Sequence, residues 1–427
     1  MKLKLLPLAL LAAAAAGPAA YAADATTTNS VKVYGTADVT IESVSSTGET
    51  VGPDVSNRTR VSTNSSALGF AGERAVGNGS AFFQLEYGVA YDGQGNGTGQ
   101  GTGPGSLISV RDTFVGYRNA MGEIKAGVLT LPIRSISGKF NYNPGSTSIS
   151  DDIPLMVNVN NVNPGFHSRA ANSIQYTSPV LLGGLTAIVG YGTNEGLVDG
   201  NVSTINTTTG AVTSAPATGV KNPTVSAFGL YWEPADSFVN VYYAHELRTD
   251  MGSVSSISPV SAFNPNGNYG TDDRLIFRFD LHQGTRFLIG YDTITLNATY
   301  GTVPVAGTIS RTALALGVSQ MVGKHEFIAT YTKANAIDCS ATAVPTGTTA
   351  ATGCGLASQT GATQWAFNYH YWWDKSTMFQ AFATAINNDR NASYDFDVNP
   401  TVNTAFTAGT QQGARPVGIG FGIRYSF

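Results

Sequence analysis

Three features of the sequence predict an all-β fold: a transmembrane antiparallel β-barrel of about sixteen strands. From Val417 to Phe427 the chain alternates without a slip. Val417, Ile419, Phe421, Ile423, Tyr425 and Phe427 fall on one side, and Gly418, Gly420, Gly422, Arg424 and Ser426 on the other. A strand sends successive side chains to opposite faces, so one face here is wholly apolar and the other small or polar. Beyond the N-terminal leader, no stretch approaches the roughly 20 apolar residues that a spanning helix needs, and a closed barrel is the other way to satisfy backbone groups in lipid. Composition agrees. Charged residues are 12% of the chain against a usual value of about 25%, and the 49 glycines suit strands and polar loops better than helices.

The elements follow in order. Lys2 and Lys4 precede an apolar stretch from Leu5 to Ala16, and Ala20-Tyr21-Ala22 supplies small residues at the usual cleavage spacing. This predicts a signal peptide over 1–22 and one barrel over 23–427, since no shift in composition marks a second domain. In the first mature strand, Val31, Val33, Ala37, Val39 and Ile41 alternate with Lys32, Tyr34, Thr36, Asp38 and Glu42. The two ends of the chain can therefore pair and leave no open sheet edge. Between them, alternating segments come in pairs: 58–74 with 79–91, 107–118 with 123–130, 170–178 with 184–194, 224–232 with 237–249, 272–282 with 285–297, 308–320 with 324–336, and 361–373 with 376–388. Most are joined by short turns of Gly, Pro, Asn and Asp. The opposite connections, 92–106, 195–223, 250–271, 337–360 and 389–413, are long and polar. Short periplasmic turns and long extracellular loops describe an outer-membrane barrel, and tyrosines near segment ends, such as Tyr87, Tyr191, Tyr291 and Tyr331, suit its aromatic girdles.

The same residues exclude other classes. A net charge of −4 and the lack of a basic tract give no nucleic-acid partner. His167, His245, His282, His325 and His370 are scattered singly, without the nucleophile–base or ligand spacing that an enzyme or metal site needs. No catalysis and no cofactor are expected. Cys339 and Cys354 share one Gly/Thr/Ala-rich stretch, and export permits a disulfide that staples this loop.

Ser65-Ser66-Ala67-Leu68-Gly69-Phe70-Ala71-Gly72-Glu73, Phe82-Phe83-Gln84-Leu85-Glu86, Arg111-Asp112-Thr113-Phe114-Val115-Gly116-Tyr117 and Arg169-Ala170-Ala171-Asn172-Ser173-Ile174-Gln175-Tyr176-Thr177-Ser178-Pro179 resemble, in that order, successive strands of the general porins of Gram-negative bacteria, of the beta-proteobacterial type. The resemblance implies a sixteen-stranded, homotrimeric barrel in the outer membrane, in contact with lipid and lipopolysaccharide, that passes small hydrophilic solutes by passive diffusion. It implies that the third long loop, 131–168, folds inward to narrow the pore. Asp151 and Asp152 on that loop would then face Arg111 and Arg169, which strand parity places inward, and set a transverse field. Two departures thin the basic wall: Ala67 and Val128 stand where the family often has arginine. Arg134, Lys139, Lys32 and Arg424 are the candidates to compensate, whereas Arg58 and Arg60 belong to the mouth. Terminal Phe427, with Tyr425, would be read by the barrel assembly machinery. The alternatives are a surface adhesin or structural barrel that uses loops 195–223 and 337–360, and a substrate-specific porin.

Overall fold

A computed structural model describes residues 30–50, 53–92, 108–140, 148–160, 163–193, 201–205, 212–216, 224–249, 263–264, 269–300, 303–341, 358–396, 399–401 and 412–427. The predicted signal peptide, 1–22, and Cys354 lie outside them. The strands are β1 (Ser30–Thr47), β2 (Val55–Thr63), β3 (Ala67–Val76), β4 (Gly79–Val89), β5 (Ile108–Asn119), β6 (Gly122–Leu129), β7 (Ala170–Thr177), β8 (Leu185–Thr193), β9 (Asn201–Ile205), β10 (Val212–Pro216) and β11 (Thr224–Trp232). They continue as β12 (Val239–Thr249), β13 (Phe263–Asn264), β14 (Tyr269–Asp280), β15 (Thr285–Tyr300), β16 (Val303–Val322), β17 (His325–Ala334), β18 (Asp338–Ala341), β19 (Ala362–Trp372), β20 (Thr377–Asn388) and β21 (Arg415–Ser426). Two short helices, α1 (Pro132–Phe140) and α2 (Ile153–Val157), lie between β6 and β7.

These strands make a closed antiparallel barrel of sixteen staves. β2 and β3 both pair with β1 and form one stave. β13 and β14 likewise share β15, β17 and β18 share β16, and β9 pairs with β10 in a separate hairpin. The stave that the alternating pattern reads as continuous over 58–74 is thus broken at Asn64–Ser66. There the chain turns its polar groups onto β1: the Asn64 N–H donates to the Asp38 carbonyl at 2.9 Å, and the Ser66 hydroxyl accepts the Asp38 N–H at 2.8 Å.

Closure runs without a register shift from Thr36 opposite Ser426 to Thr47 opposite Arg415. The terminal residue extends it, because the Phe427 N–H donates to the Gly35 carbonyl and the Gly35 N–H to the Phe427 carbonyl, both at 3.0 Å. Here glycine is required by close approach: a Cβ on Gly35 would lie 2.5 Å from Cζ of Phe427 and 2.8 Å from the Ala67 carbonyl oxygen. On β21 the apolar row Val417, Ile419, Phe421, Ile423, Tyr425 and Phe427 is exposed, as the alternation predicts for a lipid-facing surface, and Gly418 on the opposite face is buried.

A barrel whose outer face meets lipid has little apolar core of its own. Here residues 131–166 supply a contiguous set of buried apolar side chains, Leu131, Ile133, Ile136, Ile149, Leu155, Val157 and Phe166 among them. All but Leu131 cluster with Tyr242, Ile276, Ile294, Ala313 and Ala315, which lie on the wall face opposite the apolar belt, while Leu131 joins Leu129, Ala170, Val225 and Ala227. A second connection departs from the sequence reading. The stretch 389–413 reads as an outward polar loop like the others, yet Ala392, Tyr394 and Phe396 are buried in the same cluster. Two aromatic rings in a polar stretch gain more from covering Ile149 and Val44 inside the barrel than from exposure to water.

The Gly35 notch gives a test of the seam. Gly35→Val forces a branched side chain against the Phe427 ring and is expected to cost about 1–3 kcal/mol, read as a lower urea midpoint for unfolding of the assembled barrel. An unchanged midpoint would show that the seam does not depend on this contact.

Candidate functional site

The inner face of β1 to β7 carries a row of ion pairs. In β5 and β4, Leu85 faces Thr113 and Tyr87 faces Val110, so Arg111 and Asp112 together oppose Glu86. This is a β-bulge, which adds a residue to one strand and re-aims side chains. Arg111 does lie inward, but not by the strand parity expected of it: counting alternation back from exposed Val115 would send it outward, and the bulge brings it inward beside Asp112. Arg111 Nε lies 2.6 Å from Glu86 Oε1, and the Tyr34 hydroxyl donates to Glu86 Oε2 at 3.0 Å. Asp112 accepts from Arg169 Nε at 2.9 Å and from the Thr130 N–H at 2.7 Å. Arg169 stands just before β7, where a second irregularity in β6 separates Gly127 from Leu129. Gly127 has φ +146°, and a Cβ there would lie 2.2 Å from the Thr113 carbonyl oxygen. Position 127 therefore has to be glycine, and the arginine that the resemblance puts at the next position is Val128 here. Toward the seam, Arg60 pairs with Glu42 at 3.0 Å and Arg424 with Asp38 at 3.3 Å.

The wall is therefore not the basic surface expected from the resemblance. Each of these arginines has a carboxylate partner, and cation and anion alternate around the inner face. The Arg111, Glu86, Arg169 and Asp112 side chains stay 14–19% exposed, enough to meet water.

Across the barrel the charges are sealed. Arg274 on β14 donates from Nε to Asp292 Oδ2 at 2.8 Å, with Asp272 Oδ2 3.6 Å from its Nη2. Arg311 on β16 donates to Asp292 Oδ1 at 3.1 Å. All four residues are buried. The remaining guanidinium donors turn to the inner segment. Arg274 reaches the Ile133 carbonyl at 3.3 Å, the Met156 carbonyl at 3.4 Å and the Ser137 hydroxyl, and Arg311 reaches the Met156 carbonyl at 2.9 Å. A guanidinium can hold a carboxylate with some N–H groups and a carbonyl with others, which an ammonium on a flexible stem does less well. Thus β14 and β16 grip α1 at Ile133 and the inner segment again at Met156.

Asp151 and Asp152 do not meet Arg111 or Arg169. Both are buried. Asp151 Oδ1 accepts the Ile153 N–H at 3.1 Å at the start of α2, while its carbonyl accepts from Gln364 Nε2 at 2.9 Å. Asp152 Oδ2 accepts the Thr332 hydroxyl on β17 at 2.8 Å. Burial pushes the Asp152 carboxyl up to about 6. Arg134 donates to the His167 carbonyl, and burial together with the Arg134, Arg274 and Arg169 charges holds the His167 imidazole well below its ordinary value, hence neutral. Its Nδ1 lies 3.2 Å from the Ser137 hydroxyl. Lys139 pairs with Glu233 at 2.8 Å. Lys32 is exposed near the start of β1, opposite Ala71. Cys339 is disulfide-bonded, and Tyr425 and Phe427 stack with centroids 6.0 Å apart. Among the described residues no group of three or more His, Cys, Asp or Glu could hold a metal ion.

The sequence reading missed Glu86, Asp112, Asp272 and Asp292, the four partners that decide what the arginines do. The Asp272-x-Arg274 alternation was an available signal, since it puts both charges on one face.

The sequence matches the family model for a Gram-negative porin over residues 8–391. No curated protein matches significantly. The fold is similar to the solved anion-selective porin from Comamonas acidovorans, at 16% identity and TM-score 0.64 over 94% of this chain and 100% of that one. It is also similar to the trimer form of the Vibrio cholerae outer-membrane protein OmpT, at 12% identity and TM-score 0.53 over 93% and 99%. Salmonella typhi OmpF in complex with daunomycin matches at 14% identity and TM-score 0.52 over 93% and 98%.

Asp152 gives the site a pH signature. A carboxyl whose pKa is raised on folding stabilises the folded arrangement fully below its unfolded value, and that contribution is lost as pH rises through the folded value. From an ordinary 3.8 to about 6, hydrogen-exchange protection of α2, corrected for intrinsic rates, is expected to fall on the order of 100-fold as pH rises through this window. Asp152→Asn should flatten the profile, and a wild-type profile already flat would contradict the assignment.

Proposed function

Since the chain belongs to the Gram-negative porin family, we propose that its inner segment and the alternating wall of ion pairs together form the constriction of its channel. The protein is an outer-membrane barrel for passive diffusion of small hydrophilic solutes. The observation that carries the proposal is the division of its inner face. Helices α1 and α2 rest against β8, β11, β12, β14 to β17 and β19, and the partly exposed pairs Arg111–Glu86 and Arg169–Asp112 stand on the other side. A solute passing between them meets a charged wall on one side and the inner segment on the other.

Selectivity follows from pore radius and from the charges that line the narrow part. Paired charges within hydrogen-bond distance nearly cancel at the range of a passing ion, especially under salt screening. The proposed channel is therefore weakly selective, with Arg134 and Lys32 as the cations that tilt it, since Lys139 is paired with Glu233. Asp151 and Asp152, sealed against β17 and β19, act as anchors of the inner segment and not as its lumen charges.

Four further expectations belong with this reading. Residues 1–22 serve as the signal peptide; a homotrimer is supported by the trimer form of a structural neighbour; Phe427 and Tyr425 at the closed seam are the assembly signal; and lipid and lipopolysaccharide contact the outer face. No catalytic role is proposed. An adhesin reading has no observation in its favour among the described residues.

In planar bilayers the protein should give discrete, stepwise conductance, without which the channel reading fails. In a salt gradient, Glu86→Gln with Asp112→Asn frees two arginines and should move the reversal potential toward anions, with a few-fold rise in the anion-to-cation permeability ratio. Asp151→Asn with Asp152→Asn should move it little. The opposite ranking would return the lumen role to the aspartate pair.

A further inference from the structure

Residues 389–396 and 399–401, between β20 and β21, form the second stretch of chain inside the barrel. Asn388 fixes where it begins: its amide donates to the Tyr394 and Ala414 carbonyls at 2.9 and 2.8 Å, and its Oδ1 accepts the Tyr394 N–H at 2.9 Å. From there the stretch lies on the inner segment. The Tyr394 hydroxyl accepts the Asn160 N–H at 3.0 Å and lies 3.4 Å from the Asn158 carbonyl oxygen. Asn160 Oδ1 accepts the Ser393 N–H at 2.7 Å, and its Nδ2 donates to the Asn391 carbonyl at 3.3 Å. Asn160 sits at φ +57°, a left-handed conformation that asparagine tolerates better than most residues.

The far end reaches β2, two staves along the same wall, past β21 and β1. Arg60 on β2 donates to the Pro400 and Asn399 carbonyls, both at 2.5 Å, while Asn399 Nδ2 donates to Asn64 Oδ1 at 3.1 Å. Asp395 receives the Thr401 N–H at 3.0 Å and the Thr401 hydroxyl at 2.7 Å, which ties the two pieces together. Beneath, Ile149 and Phe396 both lie over Gly418 of β21, where a Cβ would come within 2.4 Å of Ile149 Cδ1. The stretch is thus held at β20–β21 and at β2, along one side of the inner face, and it binds the inner segment at 158–160.

We propose that this stretch is a strap that positions the inner segment and, with it, sets the size limit for solutes. Asn160 and Tyr394 are its positioning residues at one end and Arg60 at the other. Rigidity comes from satisfied polar contacts: each link uses a backbone group or an amide that would otherwise need water in a confined space. With the links cut, the inner segment keeps its arginine grip at Ile133 and Met156 but loses its hold around 158–160. The inference rests on the channel reading.

The test uses the full barrel in liposomes and compares swelling rates for a graded series of neutral oligosaccharides, with single-channel conductance recorded alongside. Tyr394→Phe removes only a hydroxyl, Asn160→Gly keeps the left-handed backbone, and Arg60→Gln releases the far end. Each should conduct, raise entry of the largest excluded sugars severalfold, and increase open-channel noise. The double variant Tyr394→Phe/Arg60→Gln should gain little over the larger single effect, because both act through one element. The urea midpoint of the barrel controls for general weakening, which would not by itself change the order of sugar exclusion. A wild-type exclusion series in the conducting Tyr394→Phe and Asn160→Gly variants would overturn the strap. Loss of conductance in the wild type would instead overturn the channel reading beneath it.

Discussion

A charge enclosed in protein must be answered there, and this barrel arranges its interior around that constraint. Arg274 and Arg311 are sealed from water with Asp292 between them and Asp272 beside them. Removing either kind of partner leaves a buried charge unpaired, at a cost of about 3–5 kcal/mol. The carboxylates do not use all the guanidinium donors, and the carbonyls of Ile133 and Met156 take part of the remainder. The inner segment is thus the missing half of the charge cluster's solvation. Its apolar side chains supply the packing, but the arginines determine where it sits.

The rest of the interior follows from that placement. With one side of the lumen covered, the other side must deal with water, and its charges are arranged accordingly. Two irregularities, at Arg111–Asp112 and at Gly127–Leu129, bring opposite charges into hydrogen-bonded pairs that stay partly exposed. Pairs held this close satisfy each other and leave little net field at longer range. A sealed cluster thus stands on one wall and partly exposed pairs on the other.

Much of the fold was legible in the sequence because face assignment in a strand needs only the local two-residue period. Val417 to Phe427 and Val31 to Ile41 told which side meets lipid, and the turns between paired segments told where the chain reverses. The site was legible in part. Alternation within β14 and β16 suffices to put Arg274 and Arg311 on the inner face, but their fate depends on Asp292, whose register opposite Arg274 no local pattern shows. Asp151 and Asp152 look like lumen charges because two adjacent acids in a polar loop are usually solvated, and only the apolar side chains around them reveal that they are sealed. For Arg111, simple alternation is overridden by a bulge. For Tyr394, an aromatic in a polar stretch was the available signal that this connection turns inward.

The central claim is that the buried arginines hold the inner segment in place. Spin labels at Gly138→Cys, where a side chain meets open space, and at Met121→Cys on the exposed β5–β6 turn would report the distance from inner segment to wall by pulsed electron resonance. The wild-type distribution should be narrow, and Arg274→Met with Arg311→Met should broaden it into longer distances while the β1–β21 seam stays intact. A distribution equally narrow without the two guanidinium groups would contradict the account.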